Sequence, residues 1–348
     1  MPSRPKSAKT RPAVSSSAQR PAIVVVGTGG TIASTASQAT TLTNYTVTQQ
    51  ADALLAAVPG IQSLADISCM QIFNVDSRAI TDTMRLRLAR KVDRLLEQPD
   101  VDGVVITHGT DTMEETAYFL NLTIKSAKPV IVTGAMRPAS ALSADGPLNL
   151  YNAVLLAASS EAQGLGVLVM LNDRAHAARL VSKIHTTHVD AFTSGEAGCV
   201  AEVQDGSIVS LRPPARPHTL DTPFALRQIR RLPRVDILYD YQGAGLHLYK
   251  AAIEAGARGI VVAACGNGSL TPQAERGLRL AARQGVVCAR SSRTGAGRVT
   301  PDLGLARRGI LSADDLNAQK ARLLLMLALS LPPHACTPDK IQHYFDRY

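Results

Sequence analysis

Runs of apolar, mostly β-branched residues alternate along the chain with stretches whose apolar residues recur at helical spacing. The apolar runs have the continuous character of parallel strands that are buried on both faces. In the first half, the predicted strands cover residues 22–26, 67–75, 103–106, 130–133 and 167–171, and the predicted helices cover 48–58, 84–96 and 149–158. This alternation of strand and helix predicts a doubly wound, mostly parallel sheet.

The segment 199–211 departs from this rhythm, because two short apolar runs flank the dipeptide Asp205-Gly206. That dipeptide favours the tight turn of a β-hairpin, so strands are expected at 199–203 and 208–211. The second half of the chain repeats the α/β rhythm on a smaller scale. Its predicted strands cover 235–239, 260–264 and 286–289, and its predicted helices cover 246–254, 272–283 and 315–331.

Five prolines between residues 212 and 234 mark the best candidate for a domain boundary. The chain is therefore predicted to be an α/β protein with a larger N-terminal domain, a mostly parallel doubly wound sheet at 22–211. A proline-rich linker at 212–234 leads to a smaller C-terminal α/β domain with a parallel sheet at 235–348. A basic tail at 1–21 precedes both domains.

The tail differs in composition from the rest of the chain. It contains five Lys and Arg and no acid, and so carries more than half of the formal net charge of +9. Its Pro, Ser and Ala content predicts a disordered, solubilising arm. Because no aromatic residues are interleaved with the basic ones, we expect no binding to nucleic acid.

Apolar segments and cysteines bear on the compartment. No apolar run approaches the ~20 residues of a membrane-spanning helix, and the tail lacks the apolar core of an export signal. The five cysteines are odd in number and lack metal-ligand spacing, which favours reduced thiols in the cytosol. We therefore expect a cytoplasmic protein that does not contact a membrane.

The segment 106–116 carries the clearest candidate chemistry. It leaves the buried strand 103–106, turns at Gly109 and enters a helix, so Thr110 and Asp111 lie at a strand's carboxyl end and a helix's amino end. Ligands bind in that crevice in open α/β sheets. An Asp that merely caps the helix is the plain alternative. The strand 67–75 delivers Asp76-Ser77-Arg78 at its own carboxyl end in the same way.

A second candidate is the glycine turn 27–31, which follows the first strand and ends in Thr31. A dinucleotide-binding turn would need a third glycine where Ile32 stands, and the Gly-Lys-Ser/Thr of a phosphate-binding loop is absent. A plain glycine turn remains an alternative. Otherwise the turn presents an oxygen nucleophile at a strand end. The long polar loop 34–46 that follows is typical of a lid.

A threonine hydroxyl needs a partner that takes its proton. Tyr45 is the one aromatic hydroxyl in the lid, and Lys183 could pair with Asp111 and relay a proton past Thr110. A solvated surface lysine is the alternative for Lys183. His185 and His188 have the spacing of a helical metal pair but lack a third ligand, so no metal site is expected.

Several motifs together resemble the bacterial-type L-asparaginase family, and the resemblance extends from Ala22 to Tyr348. The matching segments are Gly29-Gly-Thr-Ile-Ala33, Asn44-Tyr-Thr-Val47, Ile106-Thr-His-Gly-Thr-Asp-Thr-Met-Glu-Glu-Thr-Ala117, Gly134-Ala-Met-Arg-Pro138, Ser143-Ala-Asp-Gly-Pro147, Val181-Ser-Lys183, Gly266-Asn-Gly268 and Asn317-Ala-Gln-Lys-Ala-Arg322. The resemblance implies a two-domain α/β fold that hydrolyses the side-chain amide of L-asparagine, with no metal or organic cofactor.

Residue roles follow from the resemblance. It implies that Thr31 is the nucleophile, Tyr45 its lid partner, and Thr110, Asp111 and Lys183 a second catalytic cluster. The implied substrate contacts are Ser77 and the Arg78 backbone for the α-carboxylate, Asp111 for the α-ammonium, and Gly30 and Ala135 lining the site.

The resemblance also implies a homotetramer, a dimer of dimers with shared sites. Asn267 and an acid of the smaller domain would reach a neighbouring subunit's site. Two positions depart from the family pattern: Arg78 stands where Gln or Glu is usual, and Asp302 is the nearest equivalent of a Glu. Together they suggest an enzyme that prefers asparagine to glutamine.

Three other functions stay open at this stage. A glutaminase-asparaginase of broad specificity and an amidotransferase subunit on an asparaginase core would share the fold. A nucleotide-binding module that uses the glycine turn would bind a nucleotide without releasing ammonia.

Overall fold

The computed structural model describes residues 20–35, 38, 40, 46–47 and 50–348, and it confirms the mixed α/β architecture. In the N-terminal part, the strands are β1 (Ala22–Gly29), β2 (Ser34–Thr35), β3 (Thr46–Val47), β4 (Asp66–Val75), β5 (Gly103–Thr107), β6 (Val130–Thr133), β7 (Val167–Leu171), β8 (Arg174–Ala177), β9 (Ser182–Lys183), β10 (Phe192–Thr193), β11 (Ala201–Gln204) and β12 (Ser207–Leu211). The helices of this part are α1 (Ala51–Ala56), α2 (Asp82–Leu96), α3 (Met113–Thr123) and α4 (Gly146–Ala158).

Most of these strands join one large sheet. In the described part of the chain, eight strands lie in the order β12-β11-β8-β7-β6-β5-β1-β4. The five from β7 to β4 run parallel, and the other three add an antiparallel edge. The carboxyl ends of β4, β1, β5 and β6 therefore meet at one edge of the sheet, where ligands bind in folds of this kind.

Burial explains why the apolar runs became strands. Strands β5, β6 and β7 are buried along their whole length, as expected for parallel strands covered by helices on both faces. Helix α3 is also buried almost all round, because it lies between this sheet and a helix of the C-terminal part. The start of α3 is thus a rigid support for the loop before it.

The C-terminal part has its own sheet. Its strands are β13 (Val235–Tyr239), β14 (Gly259–Ala264), β15 (Val287–Ser292) and β16 (Ile310–Ser312), and its helices are α5 (His247–Glu254), α6 (Pro272–Arg283), α7 (Leu303–Ala306), α8 (Ala318–Ala328) and α9 (Pro338–Arg347). Among the described residues, these four strands form a parallel sheet in chain order. Helix α8 packs against both α3 and this sheet, so one apolar core continues through both parts.

The proline-rich segment 212–234 is packed against both parts of the chain, and its Phe224 ring contacts those of Tyr344 and Tyr348 in the C-terminal part. Phe224 and Ile229 are buried. The ammonium of Lys125 donates to the carbonyl oxygens of Thr219 and Thr222 at 2.6 and 2.8 Å. The segment is therefore anchored by packed contacts at several of its residues.

Some element bounds differ from the sequence-based predictions. The predicted helix 315–331 is shorter at both ends, and it begins at Ala318 because the side chain of Asn317 caps α8 by accepting the N–H of Lys320. The predicted hairpin around Asp205-Gly206 is confirmed, with both residues at positive φ. Strand β8 is not predicted by the pattern: it follows a turn at Asn172 and Asp173, which also have positive φ. None of the helices in the described residues is long and apolar enough to cross a membrane.

Candidate active site

The glycine turn after β1 lies directly against the loop after β5. Gly30 has φ 89° and ψ −177°, and its N–H donates to the carbonyl oxygen of Val75 at 3.1 Å. A Cβ atom on Gly30 would lie only 2.3 Å from the backbone nitrogen of Gly109. Only glycine combines this backbone conformation with so close an approach. The turns that carry Thr31 and Thr110 are therefore packed together.

Thr31 begins a short 3₁₀ turn, Thr31–Ala33, and is only 5% exposed. The Ser34 hydroxyl donates to the carbonyl oxygen of Gly30 at 2.9 Å and closes this turn. The nucleophile proposed from the sequence therefore lies on a fixed segment at the edge of the sheet. Its proposed partner Tyr45 lies outside the described residues.

Ser77 closes the same cluster from the β4 side. A Cβ atom on Gly109 would lie 2.8 Å from Ser77 Cβ and Oγ, so the two loops are in contact. The Thr112 hydroxyl donates to the Ser77 carbonyl oxygen at 2.9 Å. Ser77 is therefore buried beside the loop after β5.

Arg78, next in the chain, points its guanidinium at Asp76. Its Nε and Nη2 donate to the two carboxylate oxygens of Asp76 at 3.0 and 2.8 Å. Its backbone N–H also donates to Asp76, at 2.9 Å. This hydrogen bonding lowers the pKa of the Asp76 carboxyl. The Arg78 side chain is 74% exposed, so the ion pair lies on the surface.

Lys183 joins Thr110 and Asp111 in one cluster. Its Nζ donates to Thr110 Oγ1 at 3.0 Å and to Asp111 Oδ1 at 2.6 Å. The Lys183 side chain is 15% exposed and that of Asp111 50% exposed. The lysine is therefore held in a largely covered position, and the carboxylate keeps an open face.

The segment after β6 lies against the Thr31 turn. Ala135 is fully buried, and the Asp145 carboxylate accepts the N–H groups of Met136 and Arg137, both at 2.9 Å. A Cβ atom on Gly146 would lie 2.9 Å from Ile32 Cγ1, so this segment contacts the Thr31 turn. The sequence pattern alone does not reveal this role of Asp145, although the residue lies within the matching segment Ser143-Ala-Asp-Gly-Pro147.

His108 is a buried imidazole directly before Gly109. Its Nδ1 lies 2.7 Å from the Gly109 carbonyl oxygen, and its Nε2 lies 2.9 Å from Thr116 Oγ1. Burial lowers the pKa of His108 to about 4, so the ring is neutral near pH 7. A neutral ring can donate to the Gly109 carbonyl oxygen and accept from the Thr116 hydroxyl. These two hydrogen bonds connect the loop after β5 to α3.

Asn267 and Asp302 lie elsewhere, around a cavity of about 610 Å³ in the C-terminal part. Asn267 Nδ2 donates to Thr300 Oγ1 at 2.9 Å, and Asp302 Oδ1 accepts the N–H of Leu305 at 2.8 Å. All lining residues of this cavity come from the segment 267–308. Within one chain, the structure therefore does not bring these two residues together with Thr31, Thr110 and Lys183.

Metal ligands are not clustered in the described residues, where no group of three or more His, Cys, Asp or Glu could hold an ion. His185 and His188 stack with ring centroids 3.5 Å apart. The Nδ1 of His185 accepts the backbone N–H groups of Thr187 and His188. The His185 side chain therefore stabilises the turn at residues 185–188.

Two family models match the chain. Residues 22–216 match the model for "Asparaginase, N-terminal", and residues 234–345 match the "Glutaminase/Asparaginase C-terminal domain". "L-asparaginase 2" of Bacillus subtilis is 49% identical over 329 residues, which cover 94% of this chain and 87% of that protein. "Glutaminase-asparaginase" of Acinetobacter glutaminasificans is 43% identical, with 94% of this chain and 99% of that protein covered.

The fold agrees with these matches. A crystal structure titled "Probable Cytoplasmic L-asparaginase from Campylobacter jejuni" superposes with a TM-score of 0.92 at 47% identity, covering 94% of this chain and 100% of that one. The matches extend across both sheets and include the strands that carry the Thr31 and Thr110 turns. The chain belongs to the asparaginase family of amidohydrolases.

Proposed function

We propose that this protein hydrolyses the side-chain amide of L-asparagine to L-aspartate and ammonia, with Thr31 as the nucleophile. One observation carries the proposal: the glycine turn of Thr31 packs against the loop that presents Thr110 and Asp111 to Lys183. The names of the similar proteins support the choice of substrate.

In the proposed reaction, Thr31 Oγ1 attacks the amide carbon and its proton passes to the departing nitrogen. The tetrahedral intermediate collapses to an ester between Thr31 and the substrate, and ammonia leaves. Water then attacks the ester and returns the proton to Thr31. Backbone N–H groups around the glycine turns would stabilise the developing oxyanion.

The cluster around Lys183 serves proton transfer in this account. Lys183 donates to Thr110 Oγ1, so the hydroxyl proton of Thr110 is free to point to another acceptor. Thr110 can then pass a proton between the substrate and the Lys183–Asp111 pair. The exposed face of Asp111 suits an α-ammonium group, and Ser77 suits the α-carboxylate.

Glutamine is a second candidate substrate. Relatives at 40–43% identity in Acinetobacter glutaminasificans, Pseudomonas fluorescens and Pseudomonas aeruginosa are named glutaminase-asparaginase. Glutamine is longer by one methylene, and such a difference is worth only about 1–3 kcal/mol in a pocket. We propose a preference for asparagine with a minor glutaminase activity.

The proposed working unit is a cytoplasmic homotetramer. The cavity around Asn267 and Asp302 lies in the C-terminal part of its own chain, so those residues would serve a neighbour's site. All five cysteines lie in the described residues and are free thiols, which suits a reducing compartment. One relative is named periplasmic, so fractionation of the native cells is the direct check of compartment.

Ammonia release from L-asparagine and L-glutamine tests the proposal. The wild type should release ammonia, and a folded Thr31→Ala variant should lose on the order of 10³-fold or more in rate. Thr28→Val is the matched control: Thr28 lies in β1, before the Thr31 turn, and its hydroxyl donates to the Thr107 carbonyl oxygen at 2.7 Å. Near-normal turnover by Thr31→Ala would overturn the nucleophile assignment.

A further inference from the structure

Glu114 is a buried acid in the first turn of α3 that the proposed reaction does not use. It is 5% exposed. Its Oε2 accepts the backbone N–H of Lys183 at 3.0 Å. Its Oε1 accepts from Asn317 Nδ2 at 3.0 Å and from Gln319 Nε2 at 3.3 Å. All three partners are N–H donors, so the site is built for a carboxylate.

The segment that carries Lys183 has little support of its own. Strand β9 contains only Ser182 and Lys183, and it pairs with the two residues of β10. A two-stranded ribbon this short is marginal by itself. The bond from Glu114 ties the Lys183 backbone to α3, and Asp111, three residues earlier, holds the Lys183 ammonium at 2.6 Å. Residues 111–114 therefore bind both the ammonium and the backbone N–H of Lys183.

Helix α8 holds the same segment from the C-terminal side. Asn317 Nδ2 also donates to Ser182 Oγ at 3.3 Å. Lys320 is buried and its Nζ donates to the carbonyl oxygens of Arg179 and Val181. Burial lowers the pKa of Lys320 to about 8. The carboxylate of Glu114 thus sits where α3, α8 and the Lys183 segment meet.

We infer that Glu114 is a positioning residue, which sets the distance between the Lys183 ammonium and the Thr110 hydroxyl by fixing the Lys183 backbone. The inference rests on the proposed function, in which that distance matters for proton transfer. A displacement of about 1 Å at a catalytic group can cost on the order of 100-fold in rate. Glu114 acts through Lys183, so removing it should lower kcat more than it raises KM.

The variant Glu114→Gln tests this role. Its amide NH₂ cannot accept, so either the Lys183 N–H or the α8 amides lose their acceptor. We expect kcat on L-asparagine to fall roughly 10- to 100-fold with KM changed less than about threefold. In a Lys183→Met background the same substitution should cost nothing further. Glu115→Gln is the matched control, because Glu115 faces Arg85 at 3.6 Å instead, and it should keep its kcat.

Two results would overturn the inference: an equal loss of kcat in both backgrounds, or an equal loss in Glu115→Gln. If Glu114→Gln does not fold, Gln319→Ala replaces it, because that variant removes one donor to Glu114 and keeps the bonds of Glu114 to Lys183 and Asn317. It should lower kcat less than Glu114→Gln does, and again only when Lys183 is present.

Absence of ammonia release by the wild type would instead contradict the proposed function. The crystal structure of Glu114→Gln then still tests positioning, since the 3.0 Å separation of Lys183 Nζ and Thr110 Oγ1 should lengthen.

Discussion

Single residues at the site differ in how far the sequence reveals them. Thr31, Thr110 and Asp111 can be found because strand ends and glycine turns mark where a side chain is presented. Glu114 cannot, because an acid in the first turn of a helix is also the ordinary complement of the helix dipole. Its burial and its bond to Lys183, 69 residues away in sequence, exist only in the fold. Arg78 has the same limit, since its pairing with Asp76 depends on how the turn after β4 closes.

The Arg78–Asp76 pair leads to a prediction about substrate affinity. Arg78→Gln leaves the Asp76 charge unpaired near the proposed α-carboxylate site, so KM for L-asparagine should rise, by roughly threefold to tenfold. Steady-state kinetics on both amides measures this. The double variant Asp76→Asn with Arg78→Gln removes both charges and should recover most of the affinity. An unchanged KM in Arg78→Gln would show that the pair has no influence on the substrate.

The buried imidazole of His108 leads to a prediction about acid stability. Its folded-state pKa of about 4 lies below the ordinary 6.5, so between these values the unfolded chain binds a proton that the folded chain does not. The contribution of neutral His108 to stability is therefore fully present above pH 6.5 and falls by about 3 kcal/mol as pH drops through this window. Urea unfolding of the wild type and His108→Gln at pH 7, 5.5 and 4 measures it. His176 has the same shift and remains in both proteins. Parallel pH profiles would contradict the prediction.

At the scale of elements, most strands and helices follow from hydrophobic periodicity, and their ends follow from turn chemistry. Helix α6 has the predicted bounds, because Thr271 caps it and Pro272 starts it. The short pairs β2–β3 and β9–β10 carry no pattern that a sequence reading could detect. The β9–β10 pair carries Lys183, and side chains of α3 and α8 hold the backbone of this segment.

The glycine turn after β1 leads to a prediction at this scale. Gly30→Ala places a Cβ atom 2.3 Å from the Gly109 nitrogen, so the Thr31 and Thr110 turns must separate. Activity should fall on the order of 100-fold or more. Gly60→Ala is the control, because Gly60 also has positive φ (74°) but has open space around its Cβ position. It should cost about 1 kcal/mol of stability and leave kcat unchanged. An equal loss of kcat in Gly30→Ala and Gly60→Ala would show that the strain of a positive φ, and not the contact with Gly109, causes the loss.

At the scale of the whole molecule, the sequence predicts two α/β parts but not how they are joined. The prolines of 212–234 indicate a boundary, yet Phe224 and Ile229 of that segment are buried. Helices α3 and α8 pack together, and Asn317 of the C-terminal part contacts Glu114 of the N-terminal part. Such contacts depend on long-range packing, which local patterns do not encode. The two parts therefore form a single support for the candidate site.

The proposal that sites are shared between subunits leads to a prediction about mixed assemblies. Thr31→Ala subunits lack the nucleophile but keep Asn267, whereas Asn267→Ala subunits keep the nucleophile. If each site takes Asn267 from a neighbour, co-assembled variants should regain activity, up to about one quarter of the wild type for random pairing in symmetric dimers. Ammonia release before and after mixing under dissociating conditions measures the gain. Activity that is only the sum of the two variants would mean that each chain completes its own site.

The central claim is that the Thr31 hydroxyl attacks the amide carbon of L-asparagine. Mass spectrometry of enzyme quenched in acid during turnover tests it most directly. We expect an aspartyl ester on the peptide that contains Thr31, which is absent from Thr31→Ala and present in smaller amount when Lys183 is replaced by Met. Steady ammonia release with no such adduct at any quench time, or an adduct on another residue, would contradict the account.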